Sequence, residues 1–153
     1  GQFKDYQFAT ERSQHLMSLG IPLNTDSTLK GQTVFLAERC GELIYDNIIT
    51  DRTILDVMAF TMNAKSIPHQ DKEAFETYAS EFIREYDYIF YISPHGIEIE
   101  DNGIRETDEH YRDLIDFTIT TLIKRHGHKA GKIEKISGST EERIQQILNV
   151  TKL

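Results

Sequence analysis

Four short sets of residues carry most of the chemical content of this sequence. They are Glu11-Arg12, Asp51-Arg52, the stretch holding Asp101, Arg105 and Arg112, and the turn Ser137-Gly138-Ser139. The first two follow directly on the apolar runs "YQFAT" (6–10) and "NIIT" (47–50). A carboxylate at the end of an apolar strand suits Mg²⁺, which favours one or two carboxylates together with phosphate oxygens. Asp51 is therefore the candidate metal ligand. Arg12, Arg52, Arg105 and Arg112 fit phosphate through charged, often bidentate hydrogen bonds. Glu11 is suited to accept a proton from an attacking hydroxyl, a role worth about 10²–10⁴ in rate. Together these residues spell phosphoryl transfer, in which positioning and charge neutralisation do most of the work.

The same residues allow plainer roles. Glu11 and Arg12 also read as first-turn helix charges, and Asp51 as the cap of the helix that follows. Arg105 and Arg112 also read as solvated ion-pair partners, and Gly138 as a turn residue. Gln32 falls on a helix expected to be partly exposed. His95, His110, His126 and His128 lack a metal-binding spacing, and "HGH" (126–128) reads as a solvated helix end. Cys40 falls on an apolar helical face and reads as core.

Alternating short strands and amphipathic helices position these sets. Strands are expected at 6–10, 47–50, 88–93 ("YIFYIS") and 130–137 ("AGKIEKIS"). The third is nearly all apolar, as a strand covered on both faces should be. A short helix over 11–20 ends at Gly20, a usual C′ residue. The next helix has its cap at Ser27 or Thr28, with Val34, Leu36, Ala37, Cys40, Leu43 and Ile44 on its apolar face. A third runs from about Arg52 to Ala64. A fourth places Phe75, Tyr78, Phe82 and Ile83 on one face. A fifth, over 107–125, turns Leu114, Ile115, Ile119, Leu122 and Ile123 inward. The last opens at "STEE" (139–142) with a Ser/Thr-x-x-Glu capping box. This order implies an α/β domain with a mostly parallel sheet. Ligands in such sheets sit at the carboxyl ends of the strands, where Glu11-Arg12 and Asp51-Arg52 fall.

The chain has 153 residues, enough for one domain spanning 1–153. It is 39% hydrophobic, and no run approaches the ~18 apolar residues of a membrane span. The stretch "GQFKDYQF" lacks the charged-then-apolar pattern expected of a secretory signal. One cysteine excludes an internal disulfide and multi-thiolate metal sites, so the cytoplasm is the expected location. A net charge of −8 argues against extended nucleic acid as a partner. It leaves room for a small anionic ligand in an arginine-lined cleft.

Through "YQFATERSQHLMSLGIPLN", "NIITDRTILDVMAFT", "YDYIFYISP", "DNGIRETDEHYRDLID" and "ISGSTEERI", nearly the whole chain resembles the P-loop nucleoside and nucleotide kinases. It is most similar to the NadR-like AAA-type ATPase domains of phages and bacteria. The resemblance implies a three-layer P-loop NTPase-like domain, ATP and Mg²⁺ as cofactors, and a nucleoside- or nucleotide-type small molecule as phosphoryl acceptor. It implies Glu11 as general base, Asp51 as a Mg²⁺-associated carboxylate, and Arg52 as a clamp near the transferred phosphate. Gln32 would contact the substrate base, Arg105 and Arg112 would belong to an arginine-bearing lid, and Gly138-Ser139 would lie against the adenine. For a phage protein the location would be the host cytoplasm. Oligomerisation stays open.

The sequence departs from that family at one point: it holds no G-x-x-x-x-G-K-[ST]. "YQFAT" matches the family's second strand, so the first strand and phosphate loop are expected upstream of residue 1. A sheet without that central strand is expected to show a gap in its ladder. An ATP- or GTP-binding regulatory module with weak hydrolysis, or an interaction domain without catalysis, are the other functions this pattern allows.

Overall fold

The computed structural model describes residues 3–9, 13–22, 24–94 and 109–153. The chain alternates as expected. Strand β1 (Gln7–Ala9) leads to helix α1 (Ser13–Ser18), a 3-10 turn (Asn24–Asp26) and helix α2 (Leu29–Glu42). Strand β2 (Ile48–Thr50) is followed by α3 (Ile54–Met62) and α4 (His69–Ser80), which runs on as a 3-10 turn through Glu81–Glu85. Strand β3 (Tyr88–Ile92), helix α5 (Glu109–His126), a 3-10 turn (Gly127–Lys129), strand β4 (Lys132–Ile136) and helix α6 (Thr140–Thr151) complete the order.

Local chemistry sets several of these boundaries. The Thr28 hydroxyl accepts from the Gly31 N–H at 3.0 Å and caps α2. Ser139 and Glu142 form the reciprocal capping box expected at α6. Gly20 follows α1 at φ +85°, a left-handed conformation that glycine adopts without strain. Helix α3 starts two residues later than expected, because Thr53 is its cap. The Thr53 hydroxyl accepts from Leu55 N–H, and the Asp56 carboxylate accepts from Thr53 N–H at 2.8 Å. Asp51 is thus not the helix cap.

The sheet differs from one mostly parallel sheet. The described strands form two separate parallel pairs, β1–β2 and β3–β4. Phe8 lies beside Ile49, and Phe90 beside Glu134. No ladder joins β2 to β3 among the described residues.

Helix α3 sits at the centre of the core. Ile54, Leu55, Val57, Met58 and Ala59 are all buried, and α2, α4 and α5 pack against this helix. Leu36, Phe75, Ala79, Ile83, Ile115 and Leu122 belong to the same cluster. Each fully buried aliphatic side chain contributes about 1.5–3 kcal/mol. No described helix is long and apolar enough to cross a membrane.

Several expected inward positions face out. Tyr78 is 64% exposed and packs edge-on against Phe82, and Leu114 is 40% exposed. On α2 the buried positions are Gly31, Gln32, Leu36 and Arg39, while Ala37 on the helix and Ile44 just past its end are exposed. Helix α2 is therefore rotated from its most apolar face, and a polar stripe points inward. Strand β3 is not covered on both faces: Ile89 is buried, but Tyr88 and Ile92 are exposed. "HGH" is not a purely solvated end, because the largely buried His126 pairs with Glu76 on α4 at 2.7 Å.

Candidate functional site at the end of the first strand pair

Strands β1 and β2 end level. Ala9 lies beside Thr50, and the Asp51 N–H donates to the Ala9 carbonyl at 2.9 Å. The chain then turns sharply at Arg52, whose φ is +77°. An arginine in the left-handed region costs about 1–2 kcal/mol. Such a conformation persists only where its surroundings over-determine it.

Two donors converge on this turn. The Thr50 hydroxyl donates to the Arg52 carbonyl at 2.8 Å. Arg39 Nη1 donates to the Asp51 carbonyl at 2.8 Å and reaches the Arg52 carbonyl at 3.3 Å. Arg39 is only 4% exposed, and its Nε lies 3.1 Å from the Glu42 carboxylate. Past the turn, the Thr53 capping box and a hydrogen bond from Ile54 N–H to the Tyr86 hydroxyl at 3.1 Å fix the start of α3.

The side chains of the turn part company. The Asp51 carboxylate is exposed at the strand end. The Arg52 guanidinium lies over the Phe60 ring, 5.7 Å from its centroid, in cation–π range. Tyr111, in the first turn of α5, packs its ring 6.4 Å from the same Phe60 ring. The half-buried Arg112 is the next residue. The structure thus brings Arg52 and the arginine-bearing start of α5 to one aromatic pair. One exposed carboxylate at a strand end matches Mg²⁺ that keeps its waters, not a cage built of protein ligands. Among the described residues no three or more His, Cys, Asp or Glu gather as a metal site.

Gln32 is 3% exposed and shares the inward stripe of α2 with Leu36 and Arg39, which corrects the expected partly exposed setting. Gly138 takes φ +98° and Ser139 caps α6. This turn already uses its own donors. Ser139 N–H donates to Glu142 Oε1 at 3.2 Å, and Ser137 N–H to Gln146 Oε1 at 3.2 Å. With Glu141 and Glu142 in the first turn of α6, it presents no phosphate cradle. Glu11, Arg12, Asp101 and Arg105 lie outside the described residues.

Arg39 is the site residue that the sequence reading missed. Gln32, Leu36 and Arg39 recur at helical spacing, and a charge inside "FLAERCGEL" was the available signal.

A second polar cluster ties α4 to α5 away from this turn. The Glu76 carboxylate accepts from Arg125 at 2.7 Å and pairs with His126. Near it, Lys129 donates to the Ser80 hydroxyl at 3.0 Å and reaches Glu81 at 3.4 Å. Ser80 is 1% exposed, so this serine is structural. Tyr91 on β3 donates to Asp116 on α5; burial first, then that carboxylate, pushes its phenol up to about 12. No family model matches the chain, and neither does any curated protein or solved structure.

Proposed function

We propose that this chain belongs to a Mg²⁺-ATP-dependent phosphotransferase acting on a nucleoside, nucleotide or similar small metabolite. The observation that supports it best is the turn after β2. There an exposed carboxylate and a left-handed arginine sit at the carboxyl end of a parallel strand pair, locked by buried Arg39. Parallel sheets bind ligands at that end. In this reading Asp51 holds Mg²⁺ through water, while Arg52 and Arg112 neutralise charge on the transferred phosphoryl group. Glu11 takes the acceptor proton, Arg12 and Gln32 orient the acceptor, and Arg105 approaches from the same segment as Arg112. Gly138 and Ser139 flank the nucleotide base. Mg²⁺ supplies charge neutralisation of the phosphate oxygens.

The split of the strands into two parallel pairs is in keeping with this reading. A central parallel strand supplied from outside these residues would pair with β2 and β3 and bring a phosphate loop to the same edge.

The test is phosphoryl transfer from Mg²⁺-ATP to a panel of nucleosides and nucleotides, using the full-length protein. Asp51→Asn and Arg52→Ala should each lower turnover by about 10³-fold or more, since one transition-state arginine is worth roughly 10³–10⁵. Turnover that survives both substitutions would remove this turn from the chemistry. Nucleotide binding with slow hydrolysis that no acceptor accelerates would instead identify a regulatory nucleotide-binding module.

A further inference from the structure

We propose that Arg39 is the positioning residue of this site, holding the Asp51–Arg52 turn in its left-handed form from a neighbouring helix. The inference rests on the reading of that turn as a phosphoryl-transfer site, and it gives Arg39 a positioning role in turnover that the reading does not assign. Two hydroxyl- or guanidinium-borne donors meet the turn, and they differ in kind. The Thr50 bond spans two residues and moves with the turn it closes. Arg39 comes from α2, a helix packed on α3, so its bonds tie the turn to the core. Its Nη1 meets two successive carbonyls while Nε faces Glu42, a two-nitrogen geometry that lysine does not offer.

A buried ion pair is weak support for stability as such, because desolvation offsets much of the attraction. Stability alone therefore does not account for a guanidinium that is 4% exposed here. What the guanidinium does provide is orientation. The Asp51 and Arg52 carbonyls are held inward, so the Asp51 carboxylate stays at the surface and the Arg52 side chain runs to Phe60. Without the two Nη1 bonds, Arg52 is free to leave φ +77° for the ordinary negative-φ region. Its guanidinium would then be aimed elsewhere.

The experiment is backbone NMR of the isotopically labelled protein, comparing wild type with Arg39→Met and Glu42→Gln well below their melting temperatures. A left-handed residue gives a strong intraresidue amide-to-Hα cross-peak, so the Arg52 peak reads φ directly. We expect that signature in wild type, its retention in Glu42→Gln, and its loss in Arg39→Met. A merely structural ion pair would lower the melting temperature of both variants and leave the Arg52 signature in place, which would overturn the proposal. Should Arg39→Met not fold, Arg39→Lys keeps a positive charge, but its single nitrogen cannot meet Glu42 and both carbonyls at once. An Arg52 signature as strong as wild type in that variant would equally overturn it.

Kinetics supply the second readout. Arg39→Met should lower kcat by about 10²-fold, the order expected when a catalytic group is misplaced by about 1 Å. Its KM for nucleotide should stay within about twofold. If wild type transfers no phosphate at all, the proposed function fails, while the Arg52 signature still decides whether Arg39 sets the turn.

Discussion

Tyr86 and Gly131 each carry a tight single-residue constraint. The Tyr86 hydroxyl is the acceptor for Ile54 N–H at the buried start of α3. Burial pushes its phenol well above the ordinary range, so it stays neutral and in place. Tyr86→Phe keeps the ring and strands the N–H, which should cost about 1–3 kcal/mol, the penalty of a buried unsatisfied donor. Urea denaturation should show a lower midpoint with an unchanged slope. Gly131 precedes β4, where its N–H donates to the Tyr86 carbonyl at 2.9 Å. A Cβ there would stand 2.4 Å from the Asp87 carbonyl oxygen, a backbone atom with little room to give. Lys132 N–H donates to that same oxygen, so the first rung of the β3–β4 pair would shift with it. Gly131→Ala should therefore destabilise by about 1–3 kcal/mol. Of the two variants, only Gly131→Ala should also speed amide exchange along β4.

Between elements, the Glu76 carboxylate is the main polar tie from α4 to α5. Burial alone would raise its pKa, but hydrogen bonds from Arg125 and His126 outweigh that and hold it below the ordinary carboxylate range. A carboxyl lowered on folding contributes stability above its unfolded value of about 4.3, and that contribution is lost as pH falls through the lower folded value. Wild type should therefore lose stability below about pH 4 more steeply than Glu76→Gln. At neutral pH the variant should be less stable by up to about 1 kcal/mol, as for partly exposed pairs. Thermal melts from pH 3 to 7 compare the two; parallel curves would remove Glu76 from the acid response. This tie also shows what the sequence could not disclose. The Ser139–Glu142 box was legible because both partners lie within one turn, and so were the ends of β1 and β2, where apolar runs stop at charges. The Glu76–His126 pair joins residues 50 apart, and nothing near "HGH" signals it. The rotation of α2 that buries Gln32 and Arg39 showed in the sequence only as their shared helical spacing, because what settles it is the distant turn after β2 and helix α3. At the candidate site, Asp51-Arg52 was legible from a strand stopping at a charged pair. The Arg39 bonds that hold it were not.

For the molecule as a whole, the open question of pairing becomes a matter of which amides are covered. Lys132 N–H donates to the Asp87 carbonyl, which fixes the phase of the parallel β3–β4 ladder. In that phase the amides of Ile89 and Tyr91 point toward β4, and those of Tyr88, Phe90 and Ile92 point to the opposite side. No described strand pairs with that side. An apolar strand with one open edge normally invites another strand. Tyr88 and Phe90, stacked with ring centroids 6.1 Å apart, keep an aromatic surface beside this edge. Native-state hydrogen exchange on residues 1–153 should thus alternate along β3, slow at Ile89 and Tyr91 and fast at Phe90. If a larger protein containing this chain inserts a parallel strand against β3, Phe90 should become as protected as Ile89. Both strand pairs would then belong to one sheet, with the Asp51–Arg52 turn on its carboxyl edge. Fast exchange at Phe90 in both forms would mean that β3 is a true edge, and the two pairs would have to be treated as separate ribbons on a helical core.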